Sequence, residues 1–295
     1  MRQNQPIAVA RSRTFPGNIM PYDSLMPIHP TAIVDSKANI DATADVRAYA
    51  IIDGSVTIGP RCCIYPHAYI GGGTTIGADC QIHPHAVIGH LPQDLAYKDG
   101  RSYCRIGDGT VVREGASIHR GTQAESETVV GERCFIMAYA HIAHNVRLGN
   151  DVKMANGALL AGYAEIGDGA FLSAYAGVHQ FVRVGRLVMV GGFTKIVRDV
   201  PPFFMADGRD ECVGVNVVGV RRAGFTNDER LEIKQAYRIL YRSGRGLQDA
   251  IDRLDRELVS APGRQIVGFL RDPSKRGIIG GRRSPVTPAI AAPTR

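Results

Sequence analysis

A mainly β chain, wound as a parallel β-helix of hexapeptide repeats and followed by a C-terminal α-helical domain, is predicted by three observations. From Ile28 to Ile196 an aliphatic residue recurs every six positions in one register, as in Ile52, Ile58, Ile64, Ile70, Ile76, Ile82 and Ile88; the only gaps are Asp94, Gly100 and Ala124. Two residues before the aliphatic stands a small side chain, such as Ala50, Ala68, Ala86, Ala116, Ala140, Ala158 or Ala176, and Gly often follows it. Aromatic residues are few and Trp is absent, as a narrow interior requires.

Six residues are too few for a helical repeat and suit one short strand plus a corner, with the aliphatic and the small residue both pointing inward. Three strands then make one coil of eighteen residues, and each coil buries its aliphatics only by stacking on the next.

Residues 1–27 read as a poorly ordered extension, with Arg2, Arg11 and Arg13 among Pro and Gly and no apolar run suited to a signal peptide. The β-helix occupies residues 28–200, interrupted by polar loops near 91–103 (LPQDLAYKDGRSY) and 121–128 (GTQAESET). Treating these as excursions restores the eighteen-residue spacing and puts Ile88, Ile118, Ile142, Leu160 and Val178 in one column. The residues just after that column gather at one outward corner: His90, His119, Arg120, His144, Gly162, His179 and Gln180. With coils about 4.8 Å apart this corner spans roughly 20 Å, the reach of an extended ligand.

Pro201 and Pro202 end the ladder. Residues 201–272 form a link and a helical domain. TNDE at 226–229 has capping-box spacing, with Leu231, Ala236, Ile239 and Leu240 as an apolar face; after a Gly-containing break, Leu247, Ile251, Leu254 and Leu258 make a second. Residues 273–295 read as a basic, disordered tail.

The net charge of +7 is concentrated near the C-terminus, where residues 261–295 carry seven Lys or Arg against Asp272 alone. Such a tail is either simply solvated or drawn to an acidic partner or a phosphate. Cys62, Cys80, Cys104 and Cys134 fall at the small inward position and read as core, and no CxxC pair suggests zinc or redox chemistry. No apolar run is long enough for a membrane span, and a cytoplasmic location is expected.

MAYAHIAHNV (137–146), SIHRGT (117–122), PQDL (92–95), VHQF (178–181), VMVGG (188–192) and the DVPP exit closely resemble the UDP-N-acetylglucosamine O-acyltransferases of lipid A biosynthesis, in family order over roughly residues 28–260. The resemblance implies a left-handed β-helix, a cytoplasmic homotrimer with active sites between neighbouring prisms, and transfer of a 3-hydroxyacyl chain from acyl carrier protein to the 3-hydroxyl of UDP-N-acetylglucosamine. No cofactor is implied, since the acyl donor rides on the phosphopantetheine of acyl carrier protein; neither nucleic acid nor stable membrane insertion is expected.

By the same resemblance His144 is the general base, and Gly162 offers its backbone N–H to the oxyanion. His119, His141, His179 and Gln180 contact substrate, His141 from a column outside the corner. Gln93 and Asp94 contact the nucleotide sugar, Gly192 sets acyl length, Asn216 lies near the acyl hydroxyl, and Arg222 lies near the nucleotide phosphates. The chain departs from the family at Ala96, where a lysine is usual and Lys98 is nearby, at Asn145, where an Asp is common, and at Ala223, where a second arginine is usual. Acyl chain length stays open.

Three other readings compete, one of them an inactive trimeric scaffold. A sister enzyme would acylate an amine, on a 3-amino sugar nucleotide or a later intermediate. A γ-carbonic-anhydrase-like metal enzyme shares the prism, and His83 and His119 are suggestively spaced for it, but position 124, where its third ligand belongs, is Ala.

Overall fold

The computed structural model describes residues 27–282 of the 295. The six-residue register folds into three parallel sheets that form the walls of a prism. The first wall runs in nine strands from Ile33–Val34 to Lys195–Ile196, and the second in eight from Asn39–Ile40 to Arg183–Val184. The third begins at Asp45–Val46 and continues beyond the prism through Phe204–Asp207 and Glu211–Val215 to Gly280–Gly281. Ile88 pairs with Ile118, Ile118 with Ile142, Ile142 with Leu160 and Leu160 with Val178, so both excursions leave the eighteen-residue winding intact.

The interior follows from the repeat. Ile52, Ile70, Ile88, Ile118 and Ile142 are all fully buried, as are Cys80 and Cys104, while Cys62 and Cys134 are almost so. The inward cysteines are thus free thiols in the core. Between walls the chain turns through a residue of positive φ, which is why Asn145 (60°), Tyr163 (59°) and Phe181 (65°) recur at one edge. Such a conformation is costly for rings and is held here by the ladders on either side.

At the prism exit Asp199 is completely buried, accepts from the Arg183 backbone N–H and pairs with Nε of Arg183 at 2.7 Å. The link that follows is a two-stranded antiparallel extension, not irregular chain, and leads to four helices. They are α1 (Val217–Arg222), α2 (Asn227–Arg242), α3 (Leu247–Glu257) and α4 (Ala261–Arg271). The capping box forms at Thr226 and Glu229. Ile233, Ala236 and Ile239 face the core of α2, but Leu231 and Leu247, expected on the apolar faces, are exposed.

The expected disordered tail needs correction over 273–282. Ile279 is buried, Gly280 and Gly281 pair with Glu211 and Cys212, and Arg276 Nε donates to the Val197 carbonyl at 3.2 Å. Apolar burial of Ile279 and a free sheet edge outweigh the local Gly content. The basic character also shrinks, because Arg264 and Arg271 both pair with Asp255. The expectations for residues 1–26 and 283–295 fall outside the described residues.

Candidate active site

Both excursions leave the edge between the first and second walls, and the first folds back over it. The corner expected to face outward is therefore covered: His119 is 5% exposed and His144 6%. A cleft of about 620 Å³ opens here, bounded by Gln93 and Asp94 of the loop, His141, His144, Gly162 and Gln180. That is a volume suited to a small-molecule ligand. His179, Leu159 and Lys195 also line it.

The hydrogen bonds around His144 determine its tautomer. Asn145 Oδ1 accepts the Thr122 N–H at 3.0 Å and also lies 3.0 Å from His144 Nδ1. An oxygen already accepting from Thr122 meets a donor at Nδ1, so Nδ1 carries the proton and Nε2 has the free lone pair. Asp94 Oδ2 lies 3.7 Å from that Nε2. Hydrogen bonds from the Ala96 N–H and the Thr122 hydroxyl hold the Asp94 carboxyl below its ordinary range.

Gly162 sits directly against this ring. A Cβ there would lie 2.5 Å from His144 Cε1 and 2.7 Å from Nε2. Its N–H donates to no acceptor among the described residues. A ring nitrogen with a free lone pair and an unengaged backbone donor thus share one wall of the cleft, a combination suited to acyl transfer.

His119 stands behind the cleft. Its Nδ1 accepts the Gln93 N–H at 3.3 Å, leaving Nε2 as the donor, and its ring meets His141 edge-on at 4.9 Å. Burial, then neighbouring His141, His90 and His144, push its pKa from 6.5 down to about 4. Burial also lowers the pKa of His141, whose Nδ1 is 2.8 Å from Ser117 Oγ. Between pH 6.5 and about 4 the unfolded chain binds a proton at position 119 that the native state refuses. Stability contributed by neutral His119 is therefore whole above 6.5 and falls as pH drops toward 4. The thermal midpoint difference between wild type and His119→Asn should shrink over that window.

The structure brings together Gln93, Asp94, His119, His141, His144, Gly162, His179 and Gln180. His141 belongs fully to the cleft, because it is the outward residue of the strand ending at Ile142 and lines the wall beside the corner. Lys195 holds the same position three strands along and was missed, though the residue before each column aliphatic was a readable signal. Lys98 does not line the cleft.

Three expected site residues do not join it within one chain. Gly192 lies at the opposite edge of the first wall, between Val190 and Lys195, where a Cβ would meet only the Ala174 carbonyl at 3.5 Å. Asn216 caps α1, accepting the Gly219 N–H at 2.9 Å and donating to the Leu187 carbonyl at 2.8 Å. Arg222 is exposed at the end of that helix. Asn216→Ala is expected to cost about 1–2 kcal/mol, read from the denaturant midpoint, because it removes a cap together with the tie to the prism.

The metal-enzyme reading fares poorly. His83 stacks on Tyr65 at 4.5 Å, on a different edge from His119. Among the described residues no three His, Cys, Asp or Glu side chains converge as metal ligands. Nor is any described helix long and apolar enough to cross a membrane.

A prism of six-residue repeats carrying a histidine cleft under a folded-back loop is the architecture of a hexapeptide-repeat transferase. Residues 55–90 and 127–162 match the bacterial transferase hexapeptide family, and residues 199–279 match domain 2 of the UDP-N-acetylglucosamine O-acyltransferases. An acyl-(acyl-carrier-protein)–UDP-N-acetylglucosamine O-acyltransferase of Burkholderia orbicola (strain MC0-3) is 46% identical over 260 residues, covering 85% of this chain and 98% of its own. The crystal structure of the UDP-N-acetylglucosamine O-acyltransferase from Moraxella catarrhalis RH4 superposes with a TM-score of 0.82 at 37% identity, over 86% of this chain and all of its own. The enzyme of Francisella novicida gives 0.81 at 34%, over 86% and 94%. The chain belongs to the family of acyl-(acyl-carrier-protein)–UDP-N-acetylglucosamine O-acyltransferases, and its winding is the left-handed parallel β-helix.

Proposed function

We propose that the chain transfers a 3-hydroxyacyl group from acyl carrier protein to the 3-hydroxyl of UDP-N-acetylglucosamine, the first step of lipid A biosynthesis. The observation that carries this reading is the pairing of His144, with Nε2 free and Nδ1–H held by Asn145, with the unengaged Gly162 N–H in one cleft.

His144 Nε2 takes the proton of the sugar 3-hydroxyl as its oxygen attacks the thioester carbonyl carbon. The Gly162 N–H receives the oxyanion. Collapse breaks the C–S bond, and the proton on Nε2 passes to the leaving thiolate, so the products are the ester and free phosphopantetheine thiol. Asp94 Oδ2, 3.7 Å from Nε2, is the carboxylate that faces this nitrogen. Burial disfavours the imidazolium forms of His119 and His141 on the same side of the prism. No cofactor enters the scheme, because the acyl group arrives already activated.

A homotrimer completes the site in this reading. Tyr139 (73% exposed), Tyr175 (59%) and Phe193 (80%) form an aromatic edge along the prism, with Tyr139 and Tyr175 lying over Gly115 and Gly157. So much exposed ring surface along one edge suits an interface between copies. Asn216 and Arg222, absent from the cleft of their own chain, then serve a neighbour's. Gly192, open on the same wall as His141, borders the acyl path.

The test is incubation with UDP-N-acetylglucosamine or its 3-amino analogue and a panel of 3-hydroxyacyl carrier proteins, read by mass spectrometry. A hydroxylamine-labile acyl ester on UDP-N-acetylglucosamine is expected. Acylation of the amine alone would replace this reading with the N-acyltransferase, and light scattering that shows a monomer would remove the shared site.

A further inference from the structure

We propose that a second cleft, on the far side of the first loop from His144, binds a phosphate-bearing small molecule. This cleft, about 630 Å³, lies between the corner at Gly72–Thr75 and the returning limb Gly100–Tyr103. Its lining includes Lys37, Arg101 and Arg120, the hydroxyls of Ser55, Thr57 and Thr75, and no Asp or Glu. None of the three cations has a carboxylate within ion-pair distance among the described residues.

Arg120 is the informative residue. It follows His119 directly, yet its guanidinium turns away from the His144 cleft, Nη1 donating to the Gly72 carbonyl at 3.2 Å and Nη2 to the Tyr97 hydroxyl at 3.1 Å. Its Nε is buried without a partner. So are the hydroxyls of Thr74 and Ser102, residues 1% and 2% exposed. Of the four buried side-chain polar atoms that lack a partner among the described residues, these three belong to residues lining this one cleft; the fourth is on Tyr241.

Thr74 and Ser102 alternate toward the prism interior, so Arg120 carries the point: an unpartnered buried guanidinium N–H is rare and marks a place where an acceptor belongs. Two carboxylates stand nearby without reaching ion-pair distance of these cations, Asp53 accepting from the Tyr69 hydroxyl and Glu125 from the Tyr103 hydroxyl, both at 2.9 Å. A tetrahedral dianion supplies both the charge for three uncompensated cations and several acceptor oxygens. The volume exceeds what a bare phosphate fills, which leaves room for an organic group attached to it.

The test uses the full chain in a chloride buffer, titrated calorimetrically with inorganic phosphate and separately with glycerol 3-phosphate, against potassium chloride of matched ionic strength. Saturable binding of one phosphate per chain is expected in wild type and equally in His144→Ala. The exposed double substitution Lys37→Ala/Arg101→Ala should raise Kd at least tenfold, and Arg120→Gln should do the same. Glycerol 3-phosphate binding more tightly than inorganic phosphate would identify an organic phosphate as the ligand, and the reverse order the free ion. Heat no greater than that of chloride, or binding undiminished in the double variant, would overturn the proposal. So would binding lost in His144→Ala but kept in the double variant, which would place the phosphate in the catalytic cleft. These results are independent of whether acyl transfer is seen.

Discussion

His144→Ala should lower kcat for acyl transfer by about 10²- to 10⁴-fold, the range a positioned general base supplies. Geometry, more than the presence of an imidazole, singles out His144. Nδ1–H is anchored to Asn145 Oδ1, which leaves Nε2 as the atom facing the cleft. The nearest alternative bases are His119, whose Nδ1 is already occupied by the Gln93 N–H, and His141, engaged by Ser117. His119 cannot take over without giving up the Gln93 N–H, and His141 stands on the wall beside the corner, outside the column that carries His144. The fold should survive: although His144 is buried, its neighbours are Gly162, Tyr163, Asn145 and Asp94, not the aliphatic interior. Single-turnover kinetics with circular dichroism and light scattering check both halves. Turnover within threefold of wild type would remove His144 as the base.

The prism was legible because its signal is redundant. One aliphatic every six residues specifies strand, corner and stacking together, so the pairing of Ile88 with Ile118 could be read once the polar stretch between them was taken as an excursion. Corner residues inherited that clarity, and His119, His144, Gly162 and Gln180 meet as the winding dictates. His141 and Lys195 were harder because they face the cleft from the wall, where alternation places them outward but says nothing about what covers them. The folded-back loop supplies the cover, and its path depends on Asp94 meeting Thr122 and Ala96, contacts invisible to periodicity.

The helical end was legible only in part, for a related reason. Helix α2 announces itself through Thr226 and Glu229, whereas α4 begins with Ala-Pro-Gly and contains Gly268, a composition that reads as loop. Its N-terminus is held instead by Ser260, whose hydroxyl accepts from the Gly263 N–H while Glu232 of α2 accepts from the Ser260 N–H. Tertiary contact overrides propensity there. The same dependence on partners separates Asn216, Arg222 and Gly192 from His144 within a single chain.

Gly162→Ala should be nearly as damaging as loss of His144, and for a reason the ring itself reveals. The added methyl would sit 2.5 Å from Cε1 and 2.7 Å from Nε2, closer than any stable contact, so the imidazole must swing away. Swinging away breaks the Nδ1–Asn145 bond that fixes the tautomer and moves Nε2 out of line with the hydroxyl. The methyl also crowds the approach of the thioester oxygen to the N–H of residue 162. A loss of about 10²- to 10³-fold in kcat is expected, the scale of a removed oxyanion donor. KM for UDP-N-acetylglucosamine should change far less, since Gln93, Asp94 and Gln180 stay in place. The double variant His144→Ala/Gly162→Ala distinguishes displacement of the base from loss of the donor. If the methyl acts only by moving His144, adding it to His144→Ala should cost nothing more, whereas a further drop of tenfold or greater would assign the N–H its own share of the barrier.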